Sequence, residues 1–382
     1  MIPYGRQDIQ EEDIAAVVDV LRSDWLTQGP AVDRFEAAVA AHCEAAHAVA
    51  VNSATSALHL ACLALGLEPG DSLWTSTNTF VASANCARFC GAEVDFVDID
   101  PRTYNMSPEA LAEKLDQAAS RGRLPKIVVP VHFAGQSCDM VAIRALADRY
   151  GFRIIEDASH AIGGRYRGEA IGCGRHSDIT VFSFHPVKII TTGEGGMAVT
   201  NDARLAAVMR RLRSHGITRE EGEMRGESDG PWYYQQLALG YNYRMTDLQA
   251  ALGLSQLERL DAYVARRRAL AARYDRLLAD LPLVTPYRDP DAESATHLYV
   301  VVLREAQRRH EVFTRLRAAG IGVNVHYIPV HTQPYYRDLG FAPGYCPTAE
   351  AYYAAAISLP MYAGLSEAEQ DSVVDSLREA LA

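Results

Sequence analysis

Asp178–Thr200 reads DITVFSFHPVKIITTGEGGMAVT, with Lys188 at its centre. Two apolar, β-rich runs enclose a Ser-Phe-His-Pro-Val-Lys turn and a Gly-Glu-Gly-Gly cluster. Burial between strands penalises an ammonium and lowers its pKa, which makes the free amine available as a nucleophile. Upstream, Phe152–Asp157 reads FRIIED, a short apolar strand ending in an acid pair. A lysine after one strand and an aspartate at the end of another is the pairing that pyridoxal phosphate chemistry needs. The amine holds the cofactor's aldehyde as a Schiff base, and the carboxylate keeps the pyridine nitrogen protonated so that the ring accepts electrons.

These residues need a scaffold, and the preceding chain supplies one. From about Ala31 to Thr200, strand-like and helix-like segments alternate. Strands are expected at Ala48–Val51, Ser72–Thr75, Glu93–Val97, Lys126–Val131 and Phe152–Glu156. Helices are expected at Ser56–Leu67, Val81–Cys90, Pro108–Ala118 and Met140–Tyr150. That rhythm predicts an α/β fold with a mainly parallel sheet between helices, whose ligands sit beyond the carboxyl ends of the strands. Asn52–Ser56, Thr77–Phe80, His132–Gly135 and Asp157–His160 all fall at that rim.

Each rim residue has an ordinary structural reading. Thr55 and Ser56 open a helix, so they either cap it or, with its free amides, bind a phosphate. Phe80 is either core or a flat surface for an aromatic cofactor. Asp157 could cap the next turn, His160 could be an ordinary histidine, and Ser183 a strand hydroxyl. The joint arrangement of acid, lysine, small polar turn and aromatic at successive strand ends is what those readings leave unexplained.

The 382 residues exceed one usual core of roughly 250–300 residues, so two domains are expected, 1–250 and 251–382. Ile217–Gly230 is charged and glycine-containing and reads as an exposed loop. Thr246–Leu278 reads as one or two long helices with Thr246 or Asp247 as the N-cap. The remainder reads as a smaller α+β domain: strand Leu298–Leu303, helix Arg308–Ala319, strand Gly322–His326, and helices Ala349–Ala355 and Glu367–Leu381.

A net charge of −11 disfavours a nucleic-acid partner. Seven cysteines without a metal-like CxxC pair suit a reducing cytoplasm, and Cys86 and Cys90 have the i, i+4 spacing of a packed helix face. The start, MIPYGRQDIQEED, is polar and acidic, so no secretory leader is expected, and polar residues interrupt the most apolar stretch, so no membrane span is expected either.

Taken together, NSATSAL, EDASHAIG, SFHPVK with its trailing TTGEGG, and GYNYRMTD resemble the DegT/DnrJ/StrS family of sugar-nucleotide aminotransferases. The resemblance runs from Trp25-Leu26-Thr27-Gln28-Gly29-Pro30 to VHYIPVHTQPYY. It implies a fold-type I pyridoxal phosphate enzyme with a seven-stranded, mainly parallel sheet in the large domain. It implies Lys188 as Schiff-base lysine and proton shuttle, Asp157 on the pyridine nitrogen, His160 near the ring's phenolic oxygen and Phe80 stacked on the ring. Thr55, Ser56 and Ser183 would hold the phosphate, completed by Asn242 of a second subunit, so a homodimer with shared sites is implied.

MIPYGRQDI and HYIPVHTQPYY look most like the C-4 aminotransferases of pseudaminic acid biosynthesis. Those enzymes take L-glutamate and a UDP-linked 4-keto-6-deoxy-N-acetyl hexose. Tyr4, Arg6, His326, Tyr327 and His331 then become candidates for the substrate cleft, with scaffold as the competing reading. Other nucleotide sugars, a cysteine desulfurase using Cys346, and a non-catalytic cofactor-binding regulator stay open at this level.

Overall fold

In the computed structural model, which covers residues 1–382, seven strands form one sheet: β1 (His47–Val51), β2 (Ser72–Ser76), β3 (Glu93–Val97), β4 (Ile127–Val129), β5 (Arg153–Asp157), β6 (Ile179–Ser183) and β7 (Gly196–Thr200). Their spatial order is β1-β7-β6-β5-β4-β2-β3. Only β7 runs against its neighbours, pairing antiparallel with both β1 and β6. The sheet is therefore mainly parallel, as the β-α-β rhythm predicts. β4 is shorter than expected because Pro130 has no N–H to offer the ladder.

The helices of this half are α1 (Glu11–Arg22), α2 (Pro30–His42), α3 (Ala54–Ala64), α4 (Ala82–Phe89), α5 (Pro108–Ala119), α6 (Met140–Tyr150) and α7 (Ala203–Arg213). Strand alternation decides which face each residue serves. Val49, Val51, Ile127, Val129, Ile155 and Ile179 pack with α3, α4 and α7. On the other face, Ala50, Phe182 and Met197 meet α2, while Trp74, Val128 and Ile154 meet α5 and α6. Each such Val, Ile, Phe or Met side chain contributes on the order of 1.5–3 kcal/mol when fully buried. Cys86 and Cys90 belong to this core.

The Thr246–Leu278 stretch is two helices, α8 (Asp247–Leu257) and α9 (Leu260–Leu277). Thr246 opens α8 with a reciprocal capping box to Gln249. Beyond them lie β8 (Leu283–Val284), β9 (Tyr299–Leu303), α10 (Arg309–Ala318), the short α11 (Pro334–Arg337), α12 (Pro347–Ala355), β10 (Ala356–Leu359) and α13 (Glu367–Leu381). The three strands form an antiparallel sheet in the order β8-β9-β10. A separate apolar cluster, including Tyr274, Val301, Leu316 and Leu377, joins that sheet to α9, α10 and α13.

One expected strand is absent. Gly322–His326 makes no continuous ladder, because its backbone is shared between two partners. Gly322 N–H donates to Ile2 O at 2.7 Å, whereas Asn324 pairs with Ser358 of β10. The Ile217–Gly230 segment is exposed except for Thr218, Gly230 and a few half-covered neighbours, and it pairs only through Ile217–Thr218. No helix is long and apolar enough to cross a membrane.

Candidate active site

Beyond the carboxyl ends of the parallel strands lies a cavity of about 830 Å³. Asn52–Ser56, Thr79, Phe80, Asp157, Ser159, His160, Ser183, His185 and Lys188 line one side. His297 and Asn324–Tyr327 close it from the C-terminal part, and Tyr4 from the N-terminal segment.

The phosphate-like corner is built by α3. Ser53 is extended and accepts the Ser56 amide through its hydroxyl, so the helix begins at Ala54, two residues before the expected start. Thr55 and Ser56 thus sit in the first turn, where amides have no intrahelical partner. Ser56 Oγ donates to Asn52 Oδ1 at 2.7 Å. β7 passes close by: a Cβ on Gly196 would lie 2.5 Å from Ser53 backbone, so only glycine permits this approach. Helix N-terminus, hydroxyls and bare backbone together suit an oxyanion.

Asp157 ends β5 with its main chain tied into the sheet, since the His132 amide donates to Asp157 O at 3.0 Å. Its side chain accepts from Ser83 Oγ at 2.7 Å on Oδ2, and from Ser159 Oγ at 2.6 Å and Ser159 N at 3.1 Å on Oδ1. Lys188 is half-buried in the turn after β6. Burial pulls its pKa from 10.5 to about 8, against the opposing pull of the Asp157 charge. Near neutral pH the amine therefore releases its proton far more readily than an ordinary lysine.

His160 is buried, and burial holds its pKa well below 6.5, helped by the charge of Lys188. His326 is pushed down to about 4 by burial and then by Lys188. Tyr4 packs its ring 5.5 Å from that of His326. The Tyr327 hydroxyl is pushed well above 10 by burial and by Asp157. Phe80 is 60% exposed at the mouth, its ring 6.4 Å from that of Tyr327.

Lys188, Asp157, His160, Thr55, Ser56, Ser183, Phe80, Tyr4, His326 and Tyr327 thus share one cavity. Three positions do not. His331 is wholly buried between Thr77 Oγ1 at 2.6 Å and Glu350 Oε1 at 2.8 Å, because it follows Pro329 into the core rather than the cleft. Arg6 is exposed, and its charge acts on Tyr362 and Glu369. Asn242 is exposed and pairs its backbone with Ser214, outside this chain's cavity. Of the four rim clusters, His132–Gly135 turns away: His132 Nε2 bonds Glu156 Oε2 at 2.6 Å beneath the sheet. Cys346 is buried, with its thiol pKa pushed up by burial, so it has neither the mobility nor the ionisation of a nucleophile.

Sequence reasoning missed Ser83, His297 and Asn324, and it did not single out Ser159 or Glu194 within the rim turn and the Gly-Glu-Gly-Gly cluster that contain them. Ser159 was legible as part of ASHA. Ser83 carried no signal, since only tertiary packing brings α4 to the end of β5.

The chain's donor set fits pyridoxal phosphate: one amine, one carboxylate, an oxyanion corner and an aromatic face border a single cavity. The DegT/DnrJ/EryC1/StrS aminotransferase family model matches residues 7–378. The chain is 43% identical to the spore coat polysaccharide biosynthesis protein SpsC of Bacillus subtilis (strain 168), over 99% of this chain and 96% of that one. The fold superposes on Helicobacter pylori PseC, an aminotransferase involved in the biosynthesis of pseudoaminic acid, with a TM-score of 0.92. Identity there is 30%, covering 100% of this chain and 99% of that chain. Against the sugar aminotransferase Spr1654 of Streptococcus pneumoniae in its PMP form the TM-score is 0.91 at 31% identity, covering 100% and 99%. The chain therefore belongs to the DegT/DnrJ/EryC1/StrS aminotransferase family, as a pyridoxal-phosphate-dependent sugar aminotransferase.

Proposed function

We propose that the enzyme moves the amino group of L-glutamate to C-4 of a UDP-linked 4-keto-6-deoxy-N-acetyl hexose, a step toward pseudaminic acid. The observation that carries this reading is the shared cavity of Lys188 and Asp157, walled on the far side by Tyr4, His326 and Tyr327. The likeness to PseC over the whole chain supports the choice of sugar.

Bound pyridoxal phosphate supplies an aldehyde to carry the amino group and an electron sink for the carbon beside it. The chain's residues do the rest. Thr55, Ser56 and Ser183 would hold the phosphate at the start of α3, Phe80 would cover the ring, and His160 would lie near its phenolic oxygen. Asp157 would hold the pyridine nitrogen. Lys188, with its pKa near 8, takes a proton from the donor's α-carbon and delivers one to C-4 of the sugar. Donor and acceptor use the same site in turn, so the kinetics are ping-pong.

In this reading 1–250 forms the large domain and 251–382 the small one, with the cavity between them. Asn242 serves the phosphate of a second copy, which makes the working unit a homodimer. Arg6 and His331 drop out of the substrate cleft.

The test is to treat purified enzyme with L-glutamate, then add single keto sugars and follow the cofactor's visible band. Bleaching by glutamate and recovery with the UDP-linked sugar, but not with dTDP- or GDP-linked relatives, is the expected result. Recovery only with another nucleotide sugar moves the enzyme to that substrate. Failure of glutamate to bleach the band removes glutamate as donor.

A further inference from the structure

We propose that Ser83 is the positioning residue for Asp157, acting as the middle link of a hydroxyl chain that begins at Thr79. The proposal rests on the assignment of Asp157 to the cofactor's pyridine nitrogen.

Ser83 lies in the first turn of α4, has no exposed surface and does not line the cavity. Its hydroxyl is 2.7 Å from Asp157 Oδ2, across 74 positions of sequence. It is also 2.8 Å from Thr79 Oγ1, and Thr79 is buried as well. The direction of the chain follows from what each group can do. An ionised carboxylate only accepts, so Ser83 donates its proton to Asp157. Ser83 then has only lone pairs left for Thr79, so Thr79 donates to Ser83.

The ordinary role for a serine here is a bond back to its own helix. Ser83 Oγ does lie 3.4 Å from Phe80 O, but the contact to the carboxylate is much shorter and charge-assisted. α4 takes no side-chain cap from its own N-terminal residue, and the Ser83 hydroxyl is directed at Asp157 rather than at capping the helix.

Ser159 secures the other oxygen, Oδ1, yet it belongs to the same turn as Asp157 and moves with it. Ser83 is the donor that arrives from a different element. Its amide also bonds Phe80 O at 3.3 Å, so one residue ties the carboxylate to the turn presenting the aromatic face. A displacement near 1 Å at such a group costs roughly a hundredfold in rate.

The experiment is a double-mutant cycle of Ser83→Ala and Asp157→Asn on the full-length enzyme. Cofactor dissociation constant, pH titration of the visible band and steady-state kinetics are read for each variant, with thermal melting to confirm folding. Ser83→Ala alone is expected to weaken cofactor binding about tenfold, shift the titration toward that of Asp157→Asn, and lower kcat about tenfold with little change in KM, the size of one hydrogen bond to a charged group. In the Asp157→Asn background the same substitution is expected to change nothing further. A Ser83→Ala variant with wild-type binding and titration overturns the proposal. So does a loss that simply adds to that of Asp157→Asn, since Ser83 would then act independently. If wild-type protein shows no visible band with pyridoxal phosphate, the cofactor assignment itself fails and takes this proposal with it.

Discussion

His160 Nε2 lies 3.1 Å from the Tyr327 hydroxyl, joining the turn after β5 to the segment after Asn324 across the cavity wall. The other ring nitrogen, Nδ1, accepts the Ala134 amide at 3.3 Å. A neutral imidazole carries one proton, so the proton sits on Nε2 and is donated to the Tyr327 oxygen. The Tyr327 hydroxyl hydrogen is thereby free to point into the cavity. Tyr327→Phe is expected to keep the fold and the cofactor while lowering kcat/KM for the sugar about tenfold or more, the size of one donor aimed at developing charge. Steady-state kinetics against each substrate checks this, and an unchanged kcat/KM would refute it.

Lys188→Ala is expected to bind pyridoxal phosphate without covalent attachment and to turn over nothing. Borohydride treatment followed by peptide mass analysis should find no lysine adduct, while wild-type protein should carry it on Lys188. Transaminase activity in the variant would remove Lys188 from its role.

The depressed pKa of Lys188 also makes a prediction for the cofactor-free protein. The unfolded chain binds more protons here between about pH 8 and 10.5 than the folded one does. Stability contributed through this group therefore rises across that window, and the penalty is fully present below pH 8. Lys188→Met should melt higher than wild type at pH 7, with the gap closing as pH approaches 10.5. A gap that is constant with pH would contradict the depressed pKa.

Beneath the sheet, Glu156 is fully committed to its neighbours. His132, Ser177 and Thr180 all bond its carboxylate. Burial alone would raise its pKa, but these bonds outweigh it and hold the group below 4.5. Its stabilisation is present above that pH and fades as pH falls through the folded-state value. Glu156→Gln should cost about 3 kcal/mol at pH 7 and blunt the acid side of the stability profile. Denaturant melts at pH 7 and pH 4 provide the comparison.

The proposed sharing of sites between two copies predicts complementation between inactive variants. When Lys188→Ala and Asn242→Ala subunits assemble at random, half the dimers are mixed and each mixed dimer has one intact site, so about a quarter of wild-type activity should return. Mixing that restores no activity would show that Asn242 serves no second subunit.

What the sequence determined alone was local chemistry and order. β-branched and apolar runs alternating with capped helices dictate strand, helix, strand, and that rhythm leads to a mainly parallel sheet with its ligands at one rim. Lys188 and Asp157 were legible because each ends or follows such a strand, and their motifs matched a family over the whole chain. The rest depended on which surfaces meet. His331 shares a motif with His326 and Tyr327, yet a short turn after Pro329 sends it into the core. Gly322–His326 has strand composition, but its hydrogen bonds are divided between Ile2 and Ser358. Ser83 looked like any helix serine until the packing of α4 on β2 and β3 placed its hydroxyl on Asp157 at the end of β5. Short-range propensity is encoded residue by residue, whereas contacts across 74 or 167 positions exist only after the chain has closed around its cores.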